Sequence, residues 1–330
     1  MRRQIRRALV RRFGSRPQAA DFEIDWIWSK GVGRFCDSAA DARYWAAETE
    51  AVQSEAFFAE RFGAAAGLVW IRLGTGARDG WNNDLDHFAA VAVPAIRSPF
   101  VLVTTDGDAS VPADLRPETV AAIRGSPFFR GWATQNWDGT GGPLFRPFPI
   151  GFDFHSPRLF TSPRRLARDL FAIADRAAPV EARPLRIFCD AHLSLASDER
   201  GWIARHYRGV PHIDMLPARI GQTAIWRAYA RASFVVSPSG NGIDCHRTWE
   251  ALALGAIAVV RRSSIDPLFE GLAVLVVDDW AELLDGRDLA RRRAALAPLT
   301  RAEHVRPRLR AHFHLDPLRG VVASQARALL

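Results

Sequence analysis

The sequence predicts an α/β chain of two Rossmann-like domains, and three observations carry that prediction. Apolar runs suited to buried strands alternate with helix-forming segments, the order that builds a parallel sheet. The stretch Phe234 to Val260, FVVSPSGNGIDCHRTWEALALGAIAVV, reads as strand, glycine loop, helix and strand, one full unit of such a sheet. At 330 residues the chain is long enough for two cores, because a chain of this length buries about three quarters of its unfolded surface.

Taken in order, residues 1–20 form a basic N-terminal segment in which Ile5, Leu9, Val10 and Phe13 lie between arginines. That pattern suits either an anionic membrane surface or a frayed, solvated terminus. A first domain is expected over 21–160. Its alanines and spaced aromatics predict one helix over 41–62, followed by a strand at 67–73 (GLVWIRL) and the loop GTGARDGWNND. A helix from Asp84 through Val93 leads to a buried strand at 99–104, closed by TTDGDASVP, whose Asp and Gly residues suit an Asx-type turn. Trp132 to Asn136 predicts a further strand, and the Gly-Gly-Pro and proline-rich stretch after it predicts a loop. The helix-like SPRRLARDLFAIADRA precedes LRIFCDAH, 185–192, the strand that opens a second domain over 161–305. The tail, 306–330, is expected to pack back on the first domain.

Charge and composition narrow the function classes. Seven of the eight net positive charges are the arginines of residues 1–16, so the body is nearly neutral and gives no nucleic-acid signal. Lys30 is the sole lysine, an arginine bias that fits a GC-rich genome better than selection for phosphate binding. No stretch approaches the ~18 apolar residues of a membrane span, and no signal peptide is recognisable. Cys36, Cys189 and Cys245 are too few and too scattered for a disulfide framework or a zinc site, which fits a reducing cytoplasm.

The chemistry concentrates in the glycine-loop unit. Gly240 and Gly242 let backbone approach an anion closely, and the helix that follows offers unpaired N–H groups and its positive dipole end. With Asp244 as N-cap, Arg247 falls in the first turn, placed to grip phosphate, and Glu250 lies one turn on, placed to accept sugar hydroxyls. The competing reading is an Arg247–Glu250 ion pair on a solvated helix face. Arg200, in SDERGW, is a second candidate for the phosphate, against an ordinary surface arginine.

Taken whole, SPSGNGIDCHRTWEALALGAIAVV resembles the C-terminal half of exostosin-type (family 47-like) glycosyltransferases. The resemblance rests on Ser237, Pro238, Gly240, Asn241, Gly242, Asp244, His246, Arg247, Trp249, Glu250, Ala251, Leu252 and Gly255. Ala258 departs from it where a proline is expected, a matter of packing. IDPLFEGLAVLVVDDWAEL and the turn PIGFDFH, Pro149 to His155, are also similar to the family. The resemblance implies a B-type glycosyltransferase (GT-B) fold, two Rossmann-like domains facing a central cleft. It further implies a nucleotide-sugar donor held in the C-terminal domain, with Ser237, Gly240, Asn241, Gly242, His246, Arg247 and Glu250 as the candidate donor-binding residues; Arg200 joins them on its position alone. Transfer to a glycan or lipid-linked acceptor would invert the anomeric centre, with neither metal nor other cofactor required.

Strand ends of a doubly wound sheet are where ligands bind, so Thr104 to Asp108, Gly151 to His155, Asp190 to His192 and Ser237 to Gly242 are expected around the site. A general base must take the acceptor proton. Asp106 and Asp108 are the leading candidates, with His155, Asp153 and the Asp84/Asp86 pair behind them. Asp106-Gly107-Asp108 also supports a rival reading, a metal-dependent A-type glycosyltransferase in which the two carboxylates hold a divalent ion. A non-catalytic glycan- or membrane-binding module is the third. The expected location is cytoplasmic, peripheral on the inner membrane face if the basic segment binds lipid.

Overall fold

A computed structural model describes residues 16–48, 51–74, 83–193 and 197–326. The basic segment through residue 15 and most of the GTGARDGWNND loop lie outside the described residues. The chain divides into two compact units, Met1–Leu166 with Arg310–Leu330, and Ala167–Leu309.

Unit 1 is built on a four-stranded parallel sheet of β1 (Gly67–Gly74), β2 (Phe100–Gly107), β3 (Phe129–Thr134) and β4 (Phe145–Pro147), in that spatial order. β1 and β2 are buried along nearly their whole length, the signature of a parallel sheet covered on both faces. Trp70 and Trp132 are wholly buried in this core, and their indole N–H groups donate to Thr105 and Thr104 on β2, each at 2.8 Å. The strand threonines thus satisfy the one polar group that each large ring carries inward.

The helix expected over 41–62 is broken into α1 (Ala42–Ala46), capped by Asp41, and α2 (Glu55–Phe62), capped by Ser54. The reason is long-range. The carbonyls of Ala47, Glu48 and Ala51 accept from the buried Lys30 and Arg72 side chains, so the chain between the helices serves those cations instead of an i→i−4 ladder. From Asp84 the chain is helical to Ala95, beginning as α3 (Asp84–His87) and changing pitch twice. β2 runs three residues beyond expectation, pairing Gly107 with Gly74, so Asp106 belongs to the strand end and not to an Asx turn. β4 arises inside the segment expected as loop; as an edge strand it tolerates Pro147, which has no N–H to donate. The chain returns to unit 1 in α11 (Ala311–Ala326), which packs on β1, β2 and β3 with Ala311, Leu315 and Leu318 buried.

Unit 2 carries a five-stranded parallel sheet of β5 (Ile187–Cys189), β6 (Ile213–Met215), β7 (Phe234–Val236), β8 (Ile257–Arg261) and β9 (Val274–Val277), ordered β6-β5-β7-β8-β9. After α4 (Pro117–Gly125) of unit 1, α5 (Pro163–Ala174) leads into it, α6 (Asp198–His206), α7 (Gln222–Tyr229) and α8 (His246–Ala253) connect its strands, and α9 (Leu289–Leu296) and α10 (Ala302–Arg308) follow β9. The expected strand at 185–192 shrinks to three residues because Ala191–Leu193 turns as a short helix. β6 has no counterpart in the sequence reading: HIDML is too short and too polar to stand out. Gly255, at φ +69°, closes α8 in the left-handed conformation and sends the chain into β8. The expected α/β class of two Rossmann-like parallel-sheet units therefore holds.

Candidate functional site

In unit 2 the chain leaves β5 toward β6, then crosses back over β5 to β7. Connections on the two sides of the β5–β7 pair leave in opposite directions, and the crevice beyond such strand ends is where doubly wound sheets take their ligands. Asp190 follows β5 directly, and Ser237 follows β7. The glycine loop and the N-terminus of α8 close the same crevice.

Arg247, in the first turn of α8, is held on one edge. Its Nε donates to Asp190 Oδ1 at 2.8 Å and to the Tyr229 hydroxyl at 3.2 Å, while Tyr229 donates to Asp190 Oδ2 at 3.1 Å. Nη1 reaches Cys245 Sγ at 3.6 Å, and among the described residues Nη2 has no hydrogen-bond partner. Burial opposes the guanidinium charge, but Asp190, Tyr229 and Cys245 outweigh it and hold the pKa well above the ordinary arginine value. The expected alternative, a solvated Arg247–Glu250 pair, does not form.

Arg200 is no surface arginine. It is 5 % exposed, and its Nε donates to the Ser239 carbonyl at 2.7 Å, bracing the glycine loop from behind. Its Nη2 lies 3.9 Å from Cys245 Sγ, the sulfur that Arg247 also reaches. Burial lowers the Arg200 pKa, and the charge of Arg247 lowers it further. Two guanidiniums that repel each other across one thiol make a region of positive potential, which an anion would relieve.

The N-cap of α8 is Cys245, one residue later than expected, and its side chain makes no capping bond. Asp244 is instead turned inward, where both carboxylate oxygens accept from Trp249 Nε1 at 3.0 and 2.9 Å. A wholly buried indole needs that partner. Thr248 and Ser237 share a hydroxyl hydrogen bond of 2.8 Å that ties the helix to the end of β7. Glu250, 5 % exposed, takes Gln222 Nε2 at 3.3 and 3.4 Å. A cavity of about 190 Å³ adjoins, lined among others by Ser239, Asp244, Ile265 and Phe269. Gly240 and Gly242 close the loop on themselves through a 3.0 Å backbone bond, with Asn241 exposed between them and His246 opening the helix.

The remaining candidates, Asp106, Asp108 and His155, belong to unit 1. Asp106 is 2 % exposed and sits at φ +63°, an unusual conformation for a residue other than glycine. Its carboxylate accepts from Lys30 Nζ at 2.6 Å, and its backbone N–H donates to Gln135 Oε1 at 3.2 Å. Asp108 is exposed at the strand end. His155 Nδ1 is 3.3 Å from Ser29 Oγ and 3.8 Å from Asp153, which Arg158 also holds at 2.7 Å. Asp84 is taken by Arg72 in a buried pair at 2.6 and 2.9 Å, and Asp86 by the backbone of Asn83 and the Thr119 hydroxyl. That pair is structural.

Sequence reasoning passed over Lys30, Tyr229 and Gln222. Lys30 carried a signal, since one lysine among 44 basic residues invites the question of what arginine could not do there. Tyr229 and Gln222 carried none, because their roles come from packing between α7 and α8.

No protein-family model matches the chain, and no curated protein matches it significantly. Among solved structures the chain is similar to an α,α-trehalose 6-phosphate synthase from Burkholderia multivorans, at 13 % identity and TM-score 0.44 over 84 % of this chain and 76 % of that one. A UDP-forming α,α-trehalose-phosphate synthase from Burkholderia vietnamiensis is similar at 11 % identity and TM-score 0.41, over 83 % and 78 %. Likenesses at this level carry no information on activity, and the exostosin resemblance rests on its quoted residues alone.

Proposed function

We propose that this protein is a B-type glycosyltransferase, exostosin-like, that moves a sugar from a nucleotide-sugar donor to a hydroxyl of a glycan or lipid-linked acceptor, with inversion and without a metal. The observation that carries the reading is the Arg247 guanidinium at the β5–β7 switch point, fixed on its Nε edge and with Nη2 available. In this reading unit 2 holds the donor. Nη2 of Arg247, the charge of Arg200 and the amino end of α8 meet the diphosphate and stabilise it as it departs. Glu250 accepts donor hydroxyls, releasing Gln222.

Unit 1 serves the acceptor in this reading, and its base takes the hydroxyl proton as the oxygen attacks the anomeric carbon. Asp106, Asp108 and His155 remain the candidates. What weighs against the metal-dependent reading is Lys30: a cation between Asp106 and Asp108 would have to displace an ammonium already 2.6 Å from the carboxylate. A cytoplasmic setting, peripheral on a membrane, is part of the proposal.

Thermal melting against a panel of sugar nucleotides, with and without EDTA, tests the reading. The expected outcome is a rise in melting temperature with one donor, unaltered by chelation. A binding module that takes no donor gives no shift, and loss of the shift on chelation with recovery on manganese favours the metal enzyme. With the donor identified, Asp106→Asn, Asp108→Asn and His155→Gln are compared. The true base loses about 10²- to 10⁴-fold in turnover with donor affinity preserved.

A further inference from the structure

Phe160 lies in the segment between Gly151 and α5 and is 90 % exposed, whereas the other exposed large hydrophobic residues described, from Leu284 at 39 % to Phe313 at 47 %, keep half their surface covered. Its backbone φ is +59°, a conformation that a bulky residue adopts at a cost. The segment before it is tied down: Arg158 donates to the Asp153 carbonyl at 3.0 Å, the Ser156 carbonyl at 3.1 Å and the Asp153 carboxylate at 2.7 Å. Neither burial nor backbone preference within the protein accounts for a ring held outward in this way.

Charge surrounds it on one side. Arg164 and Arg165 are both exposed in the first turn of α5, which contains no acid, although the helix dipole disfavours cations there. Arg164 Nε donates to the Ala20 carbonyl at 2.7 Å, and its backbone N–H to Asp21 at 3.3 Å. Arg164 is at most about 14 Å from Phe160 across four residues, and it ties the described residues Ala20 and Asp21 to this end of α5. The sequence leading to that point carries seven arginines and no acid in its first sixteen residues.

We propose that Phe160, Arg164 and Arg165 form a face that docks on an anionic phospholipid surface, with Phe160 entering the boundary between headgroups and acyl chains and the arginines pairing with phosphates. An aromatic flanked by cations is what such a boundary accommodates. The proposal rests on the peripheral-membrane part of the proposed function and names its surface; it is independent of the catalytic part, which donor melting tests separately.

Flotation of the full-length protein with vesicles of phosphatidylcholine, alone or mixed with phosphatidylglycerol, tests it. Wild type should partition onto the mixed vesicles and release at high salt. Phe160→Ser should lower partitioning about tenfold and Phe160→Leu restore most of it; Arg165→Glu should lower it about fivefold. Melting temperatures of all three should match wild type. Equal partitioning of wild type and Phe160→Ser overturns the proposal, because the N-terminal arginines alone would then suffice. So does equal affinity for pure phosphatidylcholine, or tighter binding to single-stranded RNA that the Phe160 variants leave unchanged.

Discussion

At the scale of single residues, the guanidinium of Arg247 does two things at once. Its Nε edge is neutralised by Asp190 and oriented by Tyr229, which fixes the side chain without engaging Nη2. Glu250 is different: Gln222 reaches its carboxylate only through long bonds, 3.3 and 3.4 Å, that a better donor can replace. Glu250→Gln should therefore weaken sugar-nucleotide binding by about 1.5–3 kcal/mol, the range for a hydrogen bond to a charged group, with an unchanged melting temperature. A lower melting temperature with normal affinity would assign Glu250 to structure instead. The cysteines give a second readout. Burial pushes the Cys189 thiol up to about 11 and the Cys36 thiol higher still, so both stay protonated and unreactive near neutrality. Cys245 is partly exposed between two guanidiniums. Iodoacetamide at neutral pH should label Cys245 alone by peptide mapping, and labelling should block nucleotide binding; labelling of Cys189 first would contradict this description of the site.

At the scale of elements, the far ends of the helices behind the site are held by one side chain. Arg183, 6 % exposed, donates to the carbonyls of Ala178, Ala232 and Leu254 at 2.8, 3.0 and 2.9 Å, the last two just past α7 and α8. Burial pulls its pKa down to about 10, against the charge of Glu181, which favours the cation as the helix dipoles do. Arg183→Leu leaves buried carbonyls unpaired and should cost about 2–4 kcal/mol in urea unfolding, while the folded fraction binds nucleotide normally. A fully stable variant would show that other groups cap those helices. Sequence patterning found the long elements here and missed others for physical reasons. Runs such as GLVWIRL declare a doubly covered strand through composition alone. The break between α1 and α2 depends on Lys30 and Arg72 reaching the chain from far away, and HIDML becomes β6 only because β5 offers it an edge.

At the scale of the molecule, each unit has its own parallel sheet, and the sequence showed this through alternation and length. The residues proposed to hold the donor were also legible as a set, because the glycine loop, Arg247 and Glu250 lie within eleven positions of one another in the chain. Asp190 and Arg200 were legible too, as a strand end and a second arginine, but Gln222 and Tyr229 were not: the four come from two connections of the sheet, and only the strand order β6-β5-β7 brings them to one crevice. That crevice is the central claim, and calorimetric titration of UDP and GDP into wild type and Arg247→Ala tests it most directly. The account predicts that the nucleotide bound by wild type binds the variant about 2–4 kcal/mol more weakly, the usual effect of removing one partner from a buried charged contact, with the free protein still folded by its melting curve. An unchanged dissociation constant would contradict it.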